Sequence, residues 1–170
     1  MKVFIEEQKF NQPLVYIGLS ISLIVVFFSL LNEWKKNIDN SFGDNITALI
    51  GLFILVLVII LFLALKLQTR IDETGIKYMF FPFHVSYRNI EWSNISECYI
   101  RNYNSISEFG GWGIKGSFRK NTGKAYTTKG SIGLQLTLKN DKKILIGTQK
   151  KEALKRVLKT YKHKYTCNEL

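Results

Sequence analysis

The chain has 170 residues, 24 Lys and Arg against 13 Asp and Glu, and a net charge of +11. Its two cysteines, Cys98 and Cys167, are far apart and stand in no ligand spacing, which excludes a disulfide framework and a zinc site and suits a reducing compartment. The charge is unevenly placed: residues 66 to 170 carry +12, and residues 1 to 65 carry −1. A basic block beside a bilayer has anionic headgroups as an immediate partner, although Lys-rich surfaces also keep small domains soluble. His84 and His163 are single, outside any metal or triad spacing, and read as surface or boundary residues. No cofactor or metal is indicated.

Residues 1–13 read as a polar N-terminal segment on the cytoplasmic side, with Glu6, Glu7 and Lys9. Pro13 suits the first turn of a helix, where its missing N–H costs nothing. Residues 14–65 form the element around which the chain is built. Leu14 to Leu31 and Ile46 to Leu65 are uncharged runs of 18 and 20 residues. At about 1.5 Å rise per residue the second run spans roughly 30 Å, the thickness of a bilayer's hydrocarbon core. The expectation is a transmembrane hairpin of two helices with a turn near Gly43-Asp44-Asn45. The first run is too long for a signal peptide, and Asn32-Glu33-Trp34 follows it where a small-x-small cleavage site would stand, so the helix is expected to be retained. Tyr16 and Trp34 sit at interfacial depth. Lys35 and Lys36 in the loop are outweighed by Lys2 and Lys9 before the hairpin and Lys66, Arg70 and Lys77 after it. Both termini and the following domain are therefore expected in the cytoplasm. Gly18, Ser22 and Ser29 on one helix, with Thr47 and Gly51 on the other, are expected to form a close packing face. Neither span holds a charge or a His, which argues against an ion path or a transporter acting alone.

Residues 66–164 read as a mainly-β domain, with 165–170 as a tail. Strands are predicted at Leu67 to Ile71, Ile76 to Phe81, Val85 to Trp92, Ile95 to Tyr103, Lys124 to Thr128, Ser131 to Leu138 and Lys142 to Ile146. Residues 104 to 123, with five glycines, read as irregular. The chain ends in an amphipathic helix with Ala153, Leu154, Val157, Leu158 and Tyr161 on one stripe. That stripe closes one end of the β domain, or it lies on a membrane surface.

Seven strands and a C-terminal helix, with Ile90-Glu91-Trp92-Ser93-Asn94-Ile95 and then Glu108-Phe109-Gly110-Gly111-Trp112-Gly113-Ile114, resemble the pleckstrin-homology-like domains of bacterial membrane proteins. The resemblance covers residues 66 to about 160, and the hairpin loosely. It implies a PH-like β-barrel and a bacterial inner-membrane location. Eukaryotic relatives often bind phosphoinositides through basic residues at the first strand-strand loop. Here that loop is Asp72-Glu73-Thr74-Gly75, which is acidic and departs from the pattern.

If the strands alternate from Lys66 at the membrane surface, the loops at 81–84, 104–123 and 139–142 return to it. They hold Phe81, Phe83, Phe109, Trp112, Lys115, Phe118, Arg119, Lys120, Lys139 and Lys142, the aromatic and basic mixture of an interface-contacting surface. Trp112 alternatively packs into the β domain, with its glycines permitting a tight loop. No G-x-S-x-G, H-E-x-x-H, P-loop or Rossmann fingerprint occurs. The expectation is a non-catalytic, membrane-anchored interaction module contacting anionic lipid or a membrane protein. The alternatives are an accessory subunit of a transport or envelope complex and an enzyme with an unrecognised site. Nucleic-acid binding is disfavoured by the tether and the missing recognition motif.

Overall fold

A computed structural model describes residues 2–36, 42–116 and 123–165. They divide into two units, Gln12–Ala64 and a β unit made of Met1–Asn11 with Leu65–Leu170. The β unit is therefore discontinuous in sequence. Strand β1 (Phe4–Lys9) pairs antiparallel with β2 (Lys66–Asp72), from Phe4↔Ile71 to Lys9↔Lys66. Beyond the last pair, the Phe10 N–H donates to the Leu65 carbonyl at 3.0 Å. The polar segment expected at residues 1–13 thus contains a strand, and the apolar helices are an insertion between two paired strands.

The side chains of β1 show why it escaped the sequence reading. Phe4, Glu6 and Gln8 point inward, while Ile5, Glu7 and Lys9 point out. Two of the three buried positions are polar, so no apolar alternation appears. Their polar groups are paired far along the chain, as burial demands. The Glu6 carboxylate, 2 % exposed, accepts from the Thr148 hydroxyl and the Gln149 N–H, both at 2.7 Å. The Gln8 amide donates to the Gly147 carbonyl and accepts from the Thr128 hydroxyl, both at 2.8 Å.

The inserted unit holds helix α1 (Pro13–Lys36) and helix α2 (Phe42–Ala64). The stretch Pro13–Asn32 is long and apolar enough to cross a membrane; the apolar stretch described in α2, Leu49–Ala64, is shorter. The half-buried residues run at heptad spacing: Leu19, Leu23, Val26 and Leu30 on α1, and Leu52, Leu55, Ile59 and Phe62 on α2. Bulky side chains mark the inner face. Gly18, Ser22, Ser29 and Gly51 are exposed, and a Cβ added at Gly18 or Gly51 would meet nothing within 4 Å. The expected small-residue packing face is absent at these positions. The Ser22 hydroxyl instead donates to the Gly18 carbonyl of its own helix at 2.9 Å. The side chain of Thr47 lies outside the described residues.

In the β unit, β1 and β2 are joined by β3 (Gly75–Phe81) and β4 (Arg88–Glu91) in an antiparallel sheet, order β1-β2-β3-β4. A second sheet contains β5 (Ile95–Asn102), β6 (Gly113–Gly116), β7 (Lys124–Thr127), β8 (Ile132–Leu138) and β9 (Lys143–Gly147), in the order β5-β8-β9-β7-β6. The pair β7–β9 is parallel, and the other ladders are antiparallel. Among the described residues there are nine strands in two sheets, and the seven-stranded closed barrel expected from the sequence is not formed. Leu67, Ile71, Ile76 and Phe80 from one sheet and Leu134, Leu136, Leu145 and Ile146 from the other are fully buried.

Two local devices hold the ends. The turn after β2 is knitted by Asp72, whose carboxylate accepts from the Thr74 N–H at 3.0 Å and its hydroxyl at 2.6 Å, and pairs with Lys77 at 3.0 Å. Trp92 lies in a 3-10 turn, Trp92–Asn94, and its indole N–H donates to the Asp72 carbonyl at 3.0 Å. Its ring stands 5.5 Å from both Tyr161 and Tyr165 of the terminal helix α4 (Lys151–Tyr165). That helix buries Leu154, Val157, Leu158 and Tyr161. Its apolar stripe therefore closes the β unit and is not spread on a membrane. Thr148 accepts the Lys150 N–H at 3.1 Å before the first turn of α4. Glu6, from β1, supplies the carboxylate that favours a helix N-terminus.

Candidate functional site

The loop between β3 and β4 divides its side chains between the interior and solvent. Phe83 is 61 % exposed and Val85 93 % exposed, with Phe81 and Tyr87 also exposed. Between them His84 turns inward. Its backbone N–H donates to the Phe80 carbonyl at 2.9 Å, and its Nδ1 accepts the Phe80 N–H at 3.3 Å. Burial, and then the Arg88 charge, lower the His84 pKa. The imidazole is therefore neutral, with the proton on Nε2. Its ring packs 5.5 Å from Tyr126 and 6.2 Å from Tyr78, and the two tyrosine rings are 4.7 Å apart. Tyr78 comes from β3 and Tyr126 from β7, so this aromatic trio joins the two sheets.

Beside it opens a cleft of about 500 Å³, lined by Tyr78, Tyr126, Arg88, Lys124, Lys142 and Lys143, with Asp141 as the one acid among the described residues that line it. Strand register explains the crowding of cations. Arg88 opens β4 opposite Tyr78. Lys124 opens β7 and Lys143 opens β9, and the parallel pairing Lys124↔Ile144 sets the two strand starts side by side. Gly123 lines the wall with φ +80°, where a Cβ would collide with the Lys143 carbonyl, so only glycine lets the backbones meet there. Burial raises the Tyr78 phenol pKa well above its ordinary value, the bond to Tyr126 adds to this, and Arg88 opposes it. Tyr78 therefore stays protonated, with its hydroxyl engaged with Tyr126 in the wall of a positive cleft. Among the described residues no group of three His, Cys, Asp or Glu is placed to hold a metal.

The candidates from sequence are dispersed. Phe81 pairs in register with Lys66, the first residue of β2, and Phe83 follows it; the Lys66 ammonium is 5.8 Å from the Phe81 ring centre. Lys142 lines the cleft. The Lys139 N–H donates to the Asn94 carbonyl at 3.0 Å, which sets that turn beside the turn between β4 and β5. Trp112 is half-buried, with its indole N–H 3.4 Å from the Gly130 carbonyl. Lys115 lies on β6 opposite Ala125. Phe118, Arg119 and Lys120 lie outside the described residues. The Gly-Gly-Trp-Gly run ends a short helix, α3 (Ser105–Phe109), capped by the Asn104 side chain. Gly110, at φ +70°, returns its N–H to the Ile106 carbonyl at 2.9 Å. Sequence reasoning missed Tyr78, His84, Arg88, Lys124, Tyr126 and Lys143, which become neighbours only through the pairing of distant strands.

No protein-family model, no curated protein and no solved structure matches the chain.

Proposed function

We propose that this chain is a membrane-anchored, non-catalytic interaction module, in which α1 and α2 cross the bilayer as a hairpin and hold a PH-like β unit against one face. The β1–β2 ladder carries this reading. The chain leaves the β unit at Phe10 and re-enters at Leu65, and those two residues are hydrogen-bonded at 3.0 Å. Two paired strands cannot lie on opposite sides of a membrane, so whatever runs between them crosses an even number of times. Once α1 spans, α2 must return. The excess of Lys and Arg on the β unit favours the cytoplasmic face, in a bacterial inner membrane.

Covalent reach then selects the surface that meets the lipid. One residue separates the end of α2 at Ala64 from β2, and Phe81 lies beside Lys66 in the ladder. The exposed Phe81, Phe83 and Val85 therefore emerge at the end of the β unit from which the helices depart. Aromatic and aliphatic side chains there suit the headgroup boundary, with anionic lipid drawn by the surrounding cations.

Cysteine labelling tests both parts, in a chain with Cys98 and Cys167 replaced by Ala. Lys36→Cys is expected to react with an impermeant maleimide from outside intact spheroplasts, and Lys139→Cys only after permeabilisation. Labelling of both from the same side would refute the hairpin. Val85→Cys carrying an environment-sensitive fluorophore is expected to emit at shorter wavelength in proteoliposomes than in urea. An aqueous spectrum in both would refute the bilayer contact.

A further inference from the structure

We infer that the cleft between the two sheets is a binding site for a phosphate monoester, held by Arg88, Lys124, Lys142 and Lys143 over the hydroxyls of Tyr78 and Tyr126. This goes beyond the anchoring role and does not depend on how many times the helices cross.

Charge is the first argument. Four cations from three separate places in the sequence converge on one cleft, and Asp141 offsets one of them. Like charges gathered without a counter-ion repel, and an oxyanion relieves that repulsion. Asp141 is held in the turn between β8 and β9, where its own N–H donates to the Leu138 carbonyl at 2.9 Å.

The floor is the second. Tyr78 and Tyr126 are 3 % and 2 % exposed, so their hydroxyls are placed by packing, unlike the ends of the surface lysines. A fixed aromatic floor below and a guanidinium with its fork of N–H donors at the side suit an acceptor with several oxygens. A phosphate dianion presents three such oxygens and twice the charge of a carboxylate.

Size and lining decide between the bare ion and an ester. The cleft of about 500 Å³ falls within the usual range of small-molecule sites, roughly 300–1,000 Å³, and exceeds what inorganic phosphate fills. The aromatic floor and Ile144 offer apolar contact to an attached organic group. The site also differs in place from the acidic Asp72-Glu73-Thr74-Gly75 turn. The same chemistry is available from a soluble phosphate ester and from a lipid headgroup ending in a phosphomonoester.

The test uses the full chain in nanodiscs and calorimetric titration with phenyl phosphate. In phosphatidylcholine discs, saturable binding is expected, weakened about ten-fold or more in Arg88→Gln and in Lys143→Gln. Lys151→Gln/Lys155→Gln, on the far helix α4, is expected to bind as the parent does. Thermal unfolding of each variant verifies the fold. Discs containing phosphatidic acid separate the sources: competition that raises the apparent Kd for phenyl phosphate assigns the site to lipid, and unchanged affinity assigns it to a soluble ester. Absence of saturable binding in phosphatidylcholine discs, with no phosphatidic acid retained by the parent over Lys143→Gln, would overturn the inference. So would an equal loss in the α4 variant, since the attraction would then be diffuse.

Discussion

Removing the first eleven residues should unfold the β unit, whereas removing the whole helical insertion should not. The insertion can be excised because its ends already meet as a hairpin closure. With Lys9↔Lys66 paired and Phe10 bonded to Leu65, joining Phe10-Asn11-Gly to Leu65 makes a two-residue Asn-Gly connection, the preferred type I′ hairpin turn. Residues 65–170 alone lose β1. Burial of Phe4 is worth about 1.5–3 kcal/mol. The two bonds to the Glu6 carboxylate are worth about 1.5–3 kcal/mol each, and the two made by Gln8 about 0.5–1.5 kcal/mol each. Together these reach about 6–12 kcal/mol, against a total stability of about 5–15 kcal/mol for an ordinary domain. Urea unfolding followed by far- and near-ultraviolet circular dichroism compares the two shortened chains directly. The closed version is expected to show a cooperative transition, and residues 65–170 none. Equal midpoints would refute the reading that β1 belongs to the fold.

Two further outcomes follow from the same contacts. Trp92→Ala removes the indole that joins Asp72 to Tyr161 and Tyr165, and is expected to cost about 3–5 kcal/mol in urea unfolding of the closed version; a loss below about 1 kcal/mol would mean that α4 does not depend on it. Burial alone would raise the Asp72 pKa, but the Thr74 hydroxyl, Lys77 and the Thr74 N–H together hold it well below the usual carboxylate range. Its contribution is therefore present above the unfolded value of about 4 and is lost as pH falls toward the folded one. Asp72→Asn is expected to lower stability at neutral pH by about 1–3 kcal/mol and to flatten the decline in acid; an unchanged acid slope of the unfolding midpoint would contradict this.

How much of this was legible in the sequence depended on where each element finds its partners. The strands at β2, β3, β5, β7, β8 and β9 carry local apolar or alternating patterns, and their positions agree with the expectation within a residue or two. The stripe of α4 also read correctly, because its 3.6 period is intrinsic to the helix. Strand β1 was hidden because its inner face includes a carboxylate and an amide, whose burial makes sense only once Thr148, Gln149, Gly147 and Thr128 are in place. The strand expected from Val85 is shorter, beginning at Arg88, because His84 folds back onto Phe80 and uses the preceding residues as a loop. Short β6 was lost among glycines, which lack strand propensity. The cleft was invisible for a different reason. Arg88, Lys124 and Lys142-Lys143 each look like ordinary surface cations until the parallel β7–β9 pairing draws them together.

The insertion leaves and re-enters the β unit at neighbouring strands. A helix at a chain end leaves its domain on a single tether, free to turn about it. Here two connections run from adjacent strands, three residues between β1 and α1 and one between α2 and β2. Glu6 and Gln8 lie on the strand that precedes α1. Those two residues hold the start of α4 and the end of β9, and β9 in turn begins at Lys143 in the cleft. A continuous set of strand and hydrogen-bond connections thus runs from β1 to the basic cleft. The insertion begins and ends on neighbouring strands of the sheet that carries Tyr78, so the β unit can close over its excision with every strand in place.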